Sequence, residues 1–101
     1  MKAIKITNDN FSEVTGSGVA LVDFYADWCG PCRALAPVIE EIAGEADGVT
    51  VGKINVDEEA ELASAFGVFS IPTLVVLKDG KEVNRIVGAR PKAQILALLS
   101  R

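Results

Sequence analysis

The chain has 101 residues, half of them apolar, with a net charge of −4 and no histidine. A chain of that length reads as a single globular domain, residues 1–101, able to bury roughly two-thirds of its unfolded surface. The acidic balance, without a basic cluster, argues against nucleic acid as a partner, and no apolar run reaches the roughly 18 residues of a membrane span.

The alternation in Lys2–Ile6 predicts a short strand, at an edge because lysines flank it. Thr7 or Asn8 is the expected cap of a short helix through Phe11 and Val14, ended by Gly16-Ser17-Gly18. Val19–Ala26 is nearly all apolar, the pattern of a central strand covered on both faces. A helix follows to about Glu45, with Pro31 suited to its first turn and Pro37 expected to kink its interior. Its Glu40, Glu41 and Glu45 read as a solvated face. Val49–Val56, which contains Lys53, predicts a second buried strand. A helix opening at Asp57 or Glu58 and closed by Gly67 comes next. Val68–Pro72 reads as a loop and Thr73–Leu77 as a third core strand. Asp79-Gly80 signals a hairpin into an alternating edge strand over Glu82–Val87. The last helix starts at Pro91 and has Ile95, Leu96, Leu98 and Leu99 on its apolar side. The order βαβαβαββα implies an α/β protein with a mixed sheet and helices on both faces.

Both cysteines fall in Trp28-Cys29-Gly30-Pro31-Cys32, where a buried strand turns into a helix. Free backbone N–H groups and the helix dipole favour a thiolate at such a place. Two intervening residues let the sulfurs form a small disulfide ring, with Cys29 attacking from the cap and Cys32 resolving from one turn deeper. The same spacing also suits half of a zinc site or two inert core thiols. A full zinc site would need two further ligands, and the chain has no other cysteine and no histidine. Asp23 lies within the apolar strand, where desolvation raises a carboxyl pKa and makes it a candidate proton acceptor for Cys32. The alternative is an Asp at a strand edge, turned to solvent. Two cysteines at this spacing suggest a reducing compartment, and Met1–Ile6 lacks the apolar stretch of a secretory signal, so a cytoplasmic protein is expected.

Val22-Asp23-Phe24-Tyr25-Ala26-Asp27-Trp28-Cys29-Gly30-Pro31-Cys32 resembles the active site of the thioredoxin family. Ser70-Ile71-Pro72-Thr73, Asp79-Gly80 and Val87-Gly88-Ala89 follow in the family's order, so the resemblance spans the chain. It implies the thioredoxin fold, with a central mixed five-stranded sheet. It also implies general protein-disulfide reductase activity, in which Gly30 and Pro31 tune the redox potential toward the reducing class. Lys53 matches the lysine that modulates the buried Asp. Pro72 would follow a cis peptide bond, presenting the Ile71 backbone to an extended substrate. Trp28, Val87, Gly88 and Ala89 match the rest of the substrate surface. Phe69-Ser70 departs from the family's Gly or charged residue there, which should alter partner preference. Tyr25 stands where many relatives have a second Trp. The implied partners are disulfide-containing proteins and, as electron donor, a flavin-containing NADPH-dependent reductase acting on a monomer that binds no cofactor and no metal. The competing reading is a redox-independent binding subunit that uses the same apolar surface.

Overall fold

A computed structural model describes residues 2–100. In chain order the elements are β1 (Ile4–Lys5), α1 (Phe11–Thr15), β2 (Val19–Tyr25), α2 (Gly30–Glu45), β3 (Val49–Asn55), α3 (Ala60–Ala65), β4 (Thr73–Lys78), β5 (Lys81–Val87) and α4 (Lys92–Leu99). The strands form one five-stranded sheet in the order β1-β3-β2-β4-β5. β1 and β2 run parallel to β3, whereas β4 is antiparallel to both β2 and β5. The parallel β2–β3 pair requires a crossover, which α2 supplies. The β4–β5 pair needs only Asp79-Gly80, whose φ angles of 50° and 84° suit a tight hairpin.

The central position of β2 explains its apolar run. Leu21 packs with Leu35, Ile39 and Ile42 of α2 and Ile95 of α4 on one face of the sheet. Ala20, Val22 and Phe24 pack with Leu62 of α3 and, at the margin, Phe11 and Val14 of α1 on the other. In α2 the buried apolar residues recur at spacings of three and four, the period that lays one stripe of a helix against a sheet.

Three local expectations change. Asn10, not Thr7 or Asn8, precedes α1, and its Oδ1 accepts the Thr7 N–H at 2.7 Å instead of capping the helix. The α3 helix starts later than Asp57 or Glu58, because Asn55 Oδ1 takes the Asp57 amide at 2.9 Å and holds that stretch in a turn. Leu96 is exposed; Ile95, Leu98 and Leu99 alone carry the packing of α4. No helix among the described residues is long and apolar enough to cross a membrane.

Candidate active site

The site lies where β2 runs into α2. Cys29 caps α2 with an extended backbone, and its Sγ accepts the Cys32 N–H at 3.2 Å. One of the free amides of the helix start is therefore aimed at the Cys29 sulfur. Gly30 and Pro31 form the first turn and are exposed, while Cys32, one turn in, is buried against Ala26 and Cys29. Cys29 and Cys32 are joined in a disulfide, with their Cα atoms 5.2 Å apart.

The peptide bond between Ile71 and Pro72 is cis, as the resemblance implied. The Ile71 carbonyl oxygen lies 3.9 Å from Cys29 Sγ. Thr73 Oγ1 donates to the Ser70 carbonyl at 2.5 Å, and the Gly88 N–H donates to the Pro72 carbonyl at 2.7 Å. The second bond ties the proline loop to the end of β5, where Val87 is followed by Gly88 and Ala89. Gly88 has φ of +95°, a conformation open to glycine and strained for other residues. Trp28 is 68% exposed, with its Nε1–H donating to Asp57 Oδ2 at 2.8 Å. Core packing is thus not its role. Phe69 is 97% exposed and Val87 is exposed, and the partly buried Ile71 packs against the cysteine pair, so apolar surface is available at this end of the sheet.

Behind the disulfide is a cavity of about 170 Å³. Its walls include Asp23 of β2, Lys53 of β3, and Cys32, Ala36 and Glu40 of α2. Asp23 is 3% exposed, which rules out the solvent-facing alternative, and its Oδ1 is buried with no hydrogen-bond partner. Desolvation pushes its pKa up to about 7, with the Lys53 charge pulling the other way. Asp23 and Lys53 are register partners in the parallel β2–β3 pair. The Lys53 ammonium nevertheless pairs with Glu40 Oε2 at 3.7 Å and sits 5.5 Å from the centre of the Tyr25 ring.

Glu40 is the residue that sequence reasoning misplaced. It is half-buried at the cavity, and its Oε1 accepts the Lys2 and Ala3 amides at 2.8 and 3.0 Å. The Ala3 amide, first among the causes, holds its carboxyl below the usual carboxylate range. A signal was present: Cys32, Ala36 and Glu40 are four apart, so they share one helix face. Glu41 and Glu45 do stay at the surface, where both pair with Lys92 of α4.

The thioredoxin family model matches residues 2–101. A thioredoxin of Staphylococcus haemolyticus is 49% identical over 102 residues, an alignment covering 100% of this chain and 98% of that protein. A thioredoxin of Alicyclobacillus acidocaldarius is 50% identical over 97 residues, covering 94% and 92%. Among solved structures, a mutant thioredoxin from Halobacterium salinarum superposes with a TM-score of 0.92 at 42% identity, covering 98% of this chain and 88% of that one.

Proposed function

Because the chain belongs to the thioredoxin family, we propose that it acts as a general protein-disulfide reductase, with Cys29 as nucleophile, Cys32 as resolving thiol and Asp23 as proton acceptor. It is a thiol-disulfide oxidoreductase whose targets are disulfide-containing proteins. The observation that carries the proposed roles is the disulfide at the α2 N-terminus backed by a buried, unpartnered carboxylate on the same cavity.

In the reduced protein the Cys29 thiolate attacks one sulfur of a target disulfide. The target S–S bond breaks, a mixed disulfide forms, and the other target sulfur leaves as a thiolate that takes a proton from water. Asp23 then accepts the Cys32 proton through an intervening water. The Cys32 thiolate attacks Cys29 Sγ, the mixed disulfide breaks, and the target departs fully reduced. Two electrons have passed from the cysteine pair to the target. The exposed apolar ring of Trp28 and Val87, with Ile71, Gly88 and Ala89, holds the target backbone. Pro72 sets the Ile71 carbonyl toward it, in the manner of a strand added to an edge. The Gly30 and Pro31 side chains place no charge or donor beside Cys29, which keeps the pair reducing. The electrons reside in the cysteines, so no bound cofactor enters the cycle. A flavin-containing NADPH-dependent reductase recharges the protein, which works as a cytoplasmic monomer.

Insulin reduction with dithiothreitol as electron source tests the reading. Cys29→Ser is expected to lose all activity above the dithiothreitol background. Cys32→Ser is expected to accumulate a mixed disulfide through Cys29. If the double Cys→Ser variant keeps its biological activity, the protein is a binding subunit and not a reductase.

A further inference from the structure

Lys53 lies between two carboxylates and pairs with the outer one. Its register partner across β2–β3 is Asp23, yet its ammonium is on Glu40. Glu40 reaches it because its other oxygen is clasped by the Lys2 and Ala3 amides, just before β1. Those two amides fix the carboxylate between the chain's first residues and β3, so the side chain is not a freely rotating surface glutamate. We propose that Glu40 is a positioning residue. Held by the N-terminal backbone, it keeps the Lys53 ammonium off Asp23 and thereby sets how readily Asp23 takes a proton in the exchange reaction. The effect on catalysis rests on the reading of Asp23 as proton acceptor; the hold on Asp23 does not.

The charged and titratable groups around Asp23 leave Lys53 as the adjustable one. Tyr25 and Asp27 face the cavity from β2 and the turn after it, and Cys32, Arg33 and Glu40 face it from α2. β4 contributes only Leu74 opposite Asp23. Arg33 is engaged by the Asp27 carbonyl at 2.9 Å. Released from Glu40, Lys53 is the cation free to turn inward, and at the low effective dielectric of a buried site a shorter separation strongly favours ionised Asp23.

The test is the titration of the Asp23 carboxyl carbon, followed by NMR in the oxidised protein. Glu40→Gln keeps an oxygen for the two amides and removes the charge that holds Lys53. Its Asp23 midpoint is expected to fall by roughly half a pH unit or more. In a Lys53→Met background the same substitution is expected to move the midpoint by less than about a third as much. Glu40→Asp keeps the charge but is one methylene too short to serve the amides and Lys53 together, and it is expected to lower the midpoint as well. An unchanged midpoint in Glu40→Gln, or in Glu40→Asp should the first variant fail to fold, overturns the proposal. So does a full-sized shift in the Lys53→Met background, since the charge would then act directly. Target-release kinetics across pH are read in parallel, where Glu40→Gln should shift the profile in the same direction as the titration. If Asp23→Asn leaves release unaltered, Asp23 is not the acceptor, while the titration result still decides what Glu40 does.

Discussion

Val22 and Asp23 are neighbours on β2 and almost equally buried, at 1% and 3% exposure, but they face opposite sides of the sheet. The Val22 side is a dry cluster. Phe24 meets Phe66 at 5.6 Å between ring centres, Phe66 meets Phe11 at the same distance, and Ile6, Ile54, Val75 and Leu77 fill the rest. The Asp23 side begins as an equally apolar layer at Leu21 and ends at a carboxylate without a partner beside the disulfide. A strand alternates its side chains between two faces, so one seven-residue element serves two environments. One face contributes burial free energy to the fold. The other gives up stability to keep a titratable group where the chemistry is.

The sharpest way to break that comparison is Phe24→Ala, expected to lower stability by about 3–5 kcal/mol through lost burial and the cavity left behind. Denaturant unfolding should show the same loss throughout roughly pH 5 to 8, because the ionisable pair on that face, Arg85 and Glu82, stays charged there: the hydrogen bond between them holds the Glu82 carboxyl below its ordinary range. A loss that varies with pH would mean the two faces are not independent.

Asp23→Ala tests the other face. The unfolded chain releases this proton near the ordinary value of 3.8, whereas the folded protein holds it to about 7. The wild-type fold therefore loses stability as pH rises from the lower value to the upper one, and the loss levels off above it. Asp23→Ala removes that slope and is expected to be more stable at neutral pH by about 1–3 kcal/mol, net of a small cavity. It should also release reduced target more slowly. A mutant that is less stable, or that matches wild-type release at every pH, removes Asp23 from the proposed mechanism.

Pro31→His should have the smallest effect. Pro31 is exposed, so the change touches neither face of β2. A histidine there offers a donor and partial positive charge to the Cys29 thiolate, which stabilises the reduced form. The potential should rise by about 30 mV or more. A redox titration showing no change, or a fall, would mean that the first turn of α2 does not tune the pair.

The element order was legible because apolar runs, alternation and turn residues act within a few positions. Cys29 and Cys32 stood out for the same reason, having only two residues between them at a strand-to-helix junction. Asp23 was visible as a lone carboxylate in an apolar run. Lys53 and the Pro72 loop drew their meaning from family resemblance, since nothing local distinguishes Lys53 from a solvated lysine. Glu40 was misplaced because three glutamates on one helix look alike until a strand lies beside one of them. Helix ends moved where side chains such as Asn55 satisfied amides that a cap was expected to take.

The sequence by itself determined the alternation of strands and helices, the cysteine pair at the head of α2 and the acid within β2, because propensity and periodicity are local. Only the tertiary structure decided that Asp23 would have Lys53 as its neighbour. It also decided that Lys53 would turn to Glu40, and that Ile71, 42 residues from Cys29, would come beside its sulfur. Those contacts depend on strand register and on which helix face meets the sheet. A one-residue slip of β3 against β2 would turn Lys53 to the opposite face, and no window along the chain records that choice.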